Sequence, residues 1–161
     1  MIVLLKIALG FCLLSIFVQD IKERRVYVFL YLTCGLIMSY LHFTHSISSS
    51  QYFVSIGLNL FVLAIIMIVL TLYSRWKLKK PLKETFGSGD FLFFVVVALG
   101  FSTTSFLVLF SFSLLFTGIT YRLMLPKLVC ATVPLAGLQA LFFCILLVSN
   151  WLFSYVDFYK I

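Results

Sequence analysis

The feature that most constrains this chain is a series of six apolar runs, at residues 2–18, 26–43, 52–73, 91–101, 106–121 and 128–153. A helix needs about 20 predominantly apolar residues to cross the hydrocarbon core of a bilayer. The second, third and sixth runs are long enough, and the first is nearly so. Hydrophobic residues fill 63% of the 161 positions and only 11% are charged, which is typical of a membrane protein and excludes an ordinary soluble domain.

The fourth and fifth runs are short, and they decide how many helices span the membrane. Joined into one helix over residues 91–121, they would be about 46 Å long, too long for a hydrocarbon core of about 30 Å without strong tilt. The polar, glycine-containing segment 100–105 instead predicts a break. Each of the two resulting helices is expected to be shorter than an average span.

The distribution of basic residues favours six spans over five. Lys and Arg collect in the cytoplasmic loops of membrane proteins. With five spans, Arg122 and Lys127 would leave the face that holds most of the other basic residues. We therefore predict an all-α polytopic membrane protein with six transmembrane helices, a single domain over residues 1–161, and both termini outside the cytoplasm. All basic residues except Lys6 and Lys160 then share the cytoplasmic face: Lys22, Arg24, Arg25, Arg75, Lys77, Lys79, Lys80, Lys83, Arg122 and Lys127.

The segment 74–89 is predicted to be a basic cytoplasmic loop within this domain. Its sequence SRWKLKKPLK at 74–83 mixes basic side chains with Trp76 and Leu78. Such a segment suits topological anchoring on anionic membrane lipid, and docking of a substrate is the alternative. The basic residues of the cytoplasmic face account for the formal net charge of +7, so no nucleic-acid partner is expected. The first run has neither a basic segment before it nor a small-residue cleavage site after it, and is interpreted as a retained helix.

The four cysteines, Cys12, Cys34, Cys130 and Cys144, all lie within apolar runs and form no CxxC pair. A zinc site requires closely spaced thiolates, and a disulfide framework requires polar loops. An HExxH motif is also absent from the sequence. We therefore interpret the cysteines as small core residues and expect neither a metal nor another cofactor.

Carboxylates are scarce, and two of them fall on one predicted face. The acidic residues are Asp20, Glu23, Glu84, Asp90 and Asp157. With six spans, Asp20 closes the first helix and Asp90 opens the fourth, so both stand at the cytoplasmic ends of their helices. Each also has an ordinary interpretation. Asp90 follows a Gly-Ser-Gly turn and suits the N-cap of a helix, and Asp20 suits a solvated cluster with the charges that follow it.

The sequences around these two aspartates resemble those of a known protease family. GSGD at 87–90 is similar to the GxGD motif of intramembrane aspartyl proteases, and DIKERRV at 20–26 resembles the stretch that closes the first core helix of type IV prepilin peptidases. VPLAG at 133–137 is similar to the proline-containing segment near the start of that family's last helix. Since the order of six helices and the placement of both aspartates also agree, the resemblance covers essentially the whole chain.

This resemblance implies a membrane aspartic endopeptidase that removes leader peptides from type IV prepilins or pseudopilin-like proteins, in pilus assembly or protein secretion. The implied location is the cytoplasmic (inner) membrane of a prokaryote, with the active site facing the cytoplasm. Asp20 and Asp90 are the implied catalytic dyad, which shares a proton and activates water without a covalent intermediate. Substrate-binding or supporting roles are implied for the neighbouring motif residues: Gly87, Gly89, Lys22, Arg24, Arg25 and Pro134.

The chain departs from the family pattern at three places. VYV at 26–28 stands where the family usually has Ile-Pro-Asn, and Leu92 stands where it often has a lysine. The paired-cysteine region linked to methyl transfer in many members does not precede the first run, so peptidase activity without methyltransferase activity is expected.

A noncatalytic membrane scaffold or assembly subunit, an inactive relative of the peptidases, is the alternative from another class. In it the two acids are helix caps or ion-pair partners of Arg24, Arg25 or Lys83. Carboxylates more than about 10 Å apart, with separate basic partners, would favour this scaffold.

Other protease chemistries fit less well. A serine protease would need a histidine near Ser88, whereas His42 and His45 are predicted on the opposite face. Presenilin-like proteases share GxGD, but the partner acid here lies much farther upstream.

Asn59 and Gln139 lie within spans and are expected to hydrogen-bond between helices. The expected partners are the protein substrate and anionic lipid; the sequence leaves the oligomeric state open, a homo-oligomer included.

Overall fold

The structure is a computed structural model that describes residues 1–79, 87–124, 134–153 and 158–159. The described residues form six α-helices, and all of these except the fourth are long and apolar enough to cross a membrane. The prediction of an all-α, multi-pass membrane protein is therefore confirmed. The helices are α1 (Ile2–Glu23), α2 (Val28–His45), α3 (Ser49–Tyr73), α4 (Ser88–Gly100), α5 (Thr103–Met124) and α6 (Leu135–Phe153).

The predicted break between the fourth and fifth helices is confirmed, because α4 ends at Gly100 and α5 begins at Thr103. α4 has 13 residues and is therefore only about 20 Å long, as its short apolar run indicates. The expectation of a short fifth helix is wrong, since α5 has 22 residues. Thr103, Thr104 and Ser105, which were assigned to the break, instead form the first turn of α5. The first hydrogen bond of this helix runs from the Phe106 N–H to the Ser102 carbonyl (2.7 Å).

α1 and α3 both continue beyond their apolar runs. α1 extends to Glu23, so Asp20 lies in its last turn, and Arg24 then ends the helix in the left-handed conformation with φ 54°. α3 continues into a π-helical turn, Ser74–Leu78, which covers the first residues of the predicted basic loop and ends at Lys79 with φ 52°. Residues 80–86 of that loop lie outside the described part of the chain.

The short helix α4 lies at the centre of the bundle. It packs against α2, α3, α5 and α6, while α1 packs against α2 and α6. Most of the α4 surface is buried, including Phe93, Val97 and Ala98, none of which is exposed at all. The outward faces of the longer helices carry exposed aromatic and aliphatic side chains such as Phe61 and Phe112, as expected for helices that face lipid. Burial of α4 fixes the positions of both its ends.

The carboxyl end of α4 stops inside the bundle, where side chains of neighbouring helices satisfy its last carbonyl groups. The Asn59 amide on α3 donates to the carbonyl oxygens of Ala98 (2.8 Å) and Phe101 (2.9 Å). His42 Nδ1 on α2 lies 3.2 Å from the Leu99 oxygen. These bonds replace the water that a helix end lacks in a membrane. They confirm the expected interhelical role of Asn59, and they place His42 at the end of α4 away from Ser88.

Gln139 plays the same kind of role between the last two helices. Its amide nitrogen on α6 donates to the Ser113 hydroxyl on α5 at 3.2 Å. Gln139 and Ser113 are both completely buried, and hydrogen bonds between helices are a usual means of joining spans in lipid. The expectation that Gln139 bonds between helices is confirmed.

Candidate active site

Asp20 and Asp90 meet at the amino terminus of α6. Asp90 Oδ1 accepts a hydrogen bond from the Ala136 N–H at 2.8 Å. Asp20 Oδ2 accepts one from the Gly137 N–H at 2.7 Å. The last turn of α1 and the first turn of α4 thus place their carboxylates on two consecutive amides of a third helix.

These two hydrogen bonds limit the distance between the aspartates. The nitrogen atoms of consecutive residues lie less than about 4 Å apart. The bonded oxygens of Asp20 and Asp90 are therefore separated by about 9 Å at most. This separation is smaller than the one that would favour separate structural roles for the two acids.

The local sequence explains why α6 accepts these acids. Pro134 precedes the helix, and its carbonyl accepts the Leu138 N–H at 3.1 Å, so it occupies the N-cap position. Proline has no side-chain oxygen to bond the free N–H groups of the first turn, which Ser, Thr, Asp or Asn at an N-cap would satisfy. The two aspartates supply those acceptors from other helices. The partial positive charge of the helix amino terminus favours the negative carboxylates there.

Asp90 also shapes the start of its own helix. Gly87 is the N-cap of α4, and Asp90 is the third helical residue. Asp90 Oδ2 accepts the Gly87 N–H at 3.3 Å, which is the carboxylate half of a capping box. The interpretation of Asp90 as the N-cap is therefore wrong. The N-cap is Gly87, three residues earlier, because the helix already begins at Ser88.

Three glycines of the site allow its parts to approach closely. A Cβ atom at Gly137 would lie 2.8 Å from Asp20 Cβ, and one at Gly87 would lie 3.0 Å from Asp90 Oδ2. A Cβ atom at Gly89 would lie 2.9 Å from the Tyr31 hydroxyl. The resemblance implied substrate-binding or supporting roles for Gly87 and Gly89. The structure provides a reason within the molecule, since each glycine lies directly against a side chain of the site.

Tyr31 is a residue of the site that the sequence reasoning missed. It lies in the first turn of α2, is 3% exposed, and packs edge-on against Phe93 with ring centroids 6.5 Å apart. Its hydroxyl is close enough to Asp20 and Asp90 to interact electrostatically with both. Its position near the start of the second apolar run, on the face that holds both acids, was the available signal.

The basic residues of the first motif differ in their placement. Lys22 and Arg25 are exposed, whereas Arg24 is half-buried. Arg24 attracts Asp20 electrostatically, but the hydrogen-bond partners of both aspartates within the described residues are backbone N–H groups. Arg24 also ends α1 in the left-handed conformation, which costs a non-glycine residue about 1–2 kcal/mol. The ion pair with Lys83 considered for the scaffold lies outside the described part of the chain.

A cleft between α2 and α4 begins at Tyr31, which interacts electrostatically with both aspartates. Its volume is about 240 Å³, and it runs from Tyr31 and Leu92 along Gly35, Leu36 and Val96. Leu32 and Leu36 on its rim are more than half exposed, so the cleft opens toward lipid. Leu92 stands where the resembled family often has a lysine, and here it forms part of an apolar wall.

Taken together, the site holds two neighbouring carboxylates, a tyrosine hydroxyl and the amino terminus of a helix. One water molecule or carbonyl group can contact both acids where two of their oxygens lie within about 6 Å of each other, which the upper limit of about 9 Å allows. Comparisons of the chain with protein-family models, with curated proteins and with solved structures find no match.

Proposed function

We propose that the protein is a membrane aspartic endopeptidase that cleaves the leader peptides of prepilin-like or pseudopilin-like proteins, with Asp20 and Asp90 as the catalytic dyad. The observation that carries this proposal is the convergence of the two carboxylates, from α1 and α4, on the consecutive N–H groups of Ala136 and Gly137. The choice of prepilin-like proteins as the substrate class rests on the resemblance of GSGD at 87–90 and DIKERRV at 20–26 to the prepilin peptidases.

The proposed chemistry needs only the two carboxylates and water. One aspartate is ionised and takes a proton from a water molecule, whose oxygen attacks the carbonyl carbon of the scissile peptide bond. The protonated aspartate donates a hydrogen bond and then its proton to the carbonyl oxygen. Collapse of the gem-diol intermediate breaks the C–N bond, and the leaving nitrogen receives the proton that the first aspartate took from water. One hydroxyl of the diol returns its proton to the second aspartate as the product carboxyl group forms, which restores the starting state.

The amino terminus of α6 positions this chemistry. The Ala136 and Gly137 N–H groups hold one oxygen of each aspartate, and every carboxylate oxygen has two lone pairs, so acceptor capacity remains for water. Hydrogen bonds from a rigid helix fix the two side chains without a flexible cationic partner. Tyr31 contributes a hydroxyl donor beside the pair.

The apolar cleft suits a substrate whose cleavage site is followed by an apolar helix. We place that helix along Leu32 and Leu36, where it would replace lipid, with the scissile bond at the Tyr31 end. The basic residues at the same end of the bundle as the aspartates, which include Lys22, Arg25 and Lys77, support an orientation with the site on the cytoplasmic face of a prokaryotic inner membrane.

The proposal is tested by incubating the purified protein with candidate prepilins from the same cell. Wild type is expected to release the leader peptide, and Asp20→Asn and Asp90→Asn are each expected to abolish release. Glu23→Gln is the matched control, because Glu23 is an exposed acid in the same helical turn as Asp20. Cleavage by either aspartate variant at the wild-type rate would refute the dyad.

A noncatalytic scaffold is the second candidate, and one observation favours it: both acids accept backbone N–H groups at a helix start that Pro134 leaves uncapped. In that case the wild-type protein cuts no candidate, and Asp20→Asn and Asp90→Asn lower only the thermal stability. A hydrogen bond to a charged group contributes about 1.5–3 kcal/mol. Activity and stability measured on the same samples separate the two functions.

A further inference from the structure

A second cavity lies at the end of the bundle opposite the two aspartates. It has a volume of about 350 Å³ and is enclosed by α1, α2 and α6, with Phe158 and Tyr159 at one side. Lys6 on its wall precedes Asp20 by almost four helical turns, about 21 Å along α1. His45 is the last residue of α2, and Trp151 lies in the last turn of α6. This cavity is separate from the candidate active site.

The cavity changes from polar to apolar along its depth. Lys6, His45 and Trp151 line its outer end, near the ends of their helices. Leu9, Leu13 and Leu147 line the part that lies deeper in the bundle. An amphiphile with one charged end and one hydrocarbon end matches this order.

Lys6 gives the outer end its charge. It is the only charged side chain in the first 19 residues of the sequence, and it lies within a span of 22 residues. Lys6 lies near the amino-terminal end of that span, where a long basic side chain can place its ammonium at the level of the lipid phosphates. The Lys6 ammonium is a donor of three hydrogen bonds with no acceptor capacity, so the complementary group is an anion.

Aromatic groups form the rest of the mouth. The His45 ring stacks on Tyr159 with centroids 4.8 Å apart, and His45 Nδ1 is held by the Leu41 carbonyl at 2.9 Å. Trp151 lies beside them, and its amphipathic indole suits the level of lipid head groups. The mouth therefore combines one cation with aromatic surfaces that are typical of the membrane interface.

We propose that this cavity binds one anionic phospholipid, with its phosphate at Lys6 and the first part of an acyl chain against Leu9, Leu13 and Leu147. The volume lies within the range of about 300–1,000 Å³ found for small-molecule pockets, so it encloses a head group and part of a chain. The site is distinct from the basic segment at the other end of the bundle. It does not depend on the proposed peptidase activity.

Trp151 provides a direct reporter, because the chain has only one other tryptophan, Trp76. Trp76 is 79% exposed, so Trp76→Phe leaves a single fluorophore at the cavity without disturbing the fold. This parent protein is titrated in detergent micelles with acyl-brominated phosphatidylglycerol, and separately with acyl-brominated phosphatidylcholine. Bromine quenches tryptophan fluorescence only at close range.

Phosphatidylglycerol is expected to reach half-maximal quenching at a mole fraction about fivefold lower than phosphatidylcholine, which corresponds to about 1 kcal/mol per basic residue near an anionic lipid. In the Trp76→Phe background, Lys6→Gln removes this preference and Lys6→Arg retains it. Lys77→Gln is the matched control and also retains it, because Lys77 lies over the Tyr73 ring in the π-helical turn at the other end of the bundle.

Equal quenching by the two lipids in the parent protein would overturn the proposal, as would a preference that survives Lys6→Gln. The comparison in the parent protein needs no change at Lys6, so it remains decisive if Lys6→Gln does not fold. Unbrominated phosphatidylglycerol should relieve the quenching, whereas inorganic phosphate should not. Relief by inorganic phosphate at the same concentration would identify a free-anion site and refute a lipid site.

Discussion

Replacing Gly137 by alanine tests whether the contact between α1 and α6 positions Asp20. The added Cβ atom would lie 2.8 Å from Asp20 Cβ and 2.9 Å from Asp20 Oδ2. Carbon atoms in contact are about 3.5–4.0 Å apart, so Asp20 must move by roughly 1 Å. That movement lengthens the 2.7 Å hydrogen bond from the Gly137 N–H beyond a useful distance.

The size of the effect follows from two opposing contributions. Loss of a hydrogen bond to a charged group destabilises the fold by about 1.5–3 kcal/mol. Alanine is about 1 kcal/mol more favourable than glycine in a helix. The net destabilisation is therefore about 0.5–2 kcal/mol. The effect on catalysis should be larger, because a misplacement of about 1 Å can lower a rate about 100-fold.

The assay combines prepilin cleavage with thermal unfolding in detergent. Gly118→Ala is the matched control, since a Cβ atom at Gly118 meets nothing within 4 Å, and that variant should keep full activity and gain stability. If Gly137→Ala cleaves as fast as wild type and unfolds at the same temperature, the packing of Asp20 against α6 does not control the site, and the geometric argument fails.

Three further predictions concern other contacts. Gly89→Ala should lower the cleavage rate, because the added Cβ atom would lie 2.9 Å from the Tyr31 hydroxyl and push it away. Tyr31→Phe removes that hydroxyl, so the double variant should recover part of the lost activity. Additive losses from the two substitutions would contradict this steric explanation. Asn59→Leu should lower the unfolding free energy by about 1–2 kcal/mol, because two carbonyls at the end of α4 lose their donor, and unchanged unfolding in detergent would refute the capping role. Gly100→Ala should destabilise by about 1–3 kcal/mol, because its Cβ would lie 2.6 Å from Cε and 3.1 Å from Cβ of the buried Met38, and the Met38 Cβ cannot move without the α2 backbone. A double-mutant cycle with Met38→Ala should show strong coupling.

Much of the fold could be predicted because a membrane restricts the choices available to a chain. The lengths of the apolar runs and the positions of the charges beside them were enough to predict the six helices, the break before α5 and the short α4. The length of α5 could not be predicted from hydropathy, because Thr103, Thr104 and Ser105 read as a polar break. A helix start has free N–H groups that favour such hydroxyl residues, so the same residues also fit a first turn.

The candidate site was only partly predictable. The resemblance singled out both aspartates, and topology placed them on one face, but neither could show that they meet on α6. Pro134 and Gly137 belong to a motif noted in the sequence, yet their use as a helix start without its own cap depends on the packing of α1 and α4 against α6. Tyr31 lies in an apolar run with no motif around it, so its position near the start of that run was a weak signal, and the structure was needed to show that it lies beside both acids.

The two candidate functions make opposite demands on the same hydrogen bonds. A purely structural cap needs one acceptor for each free N–H group, and neutral amides or hydroxyls are adequate for that role. Two acids on adjacent amides add a mutual repulsion that a cap does not require, and it is relieved when one of them holds a proton. An arrangement that keeps a protonated and an ionised carboxylate side by side is costly for a scaffold and is what general acid–base hydrolysis uses. The placement of Asp20 and Asp90 therefore favours the peptidase over the scaffold.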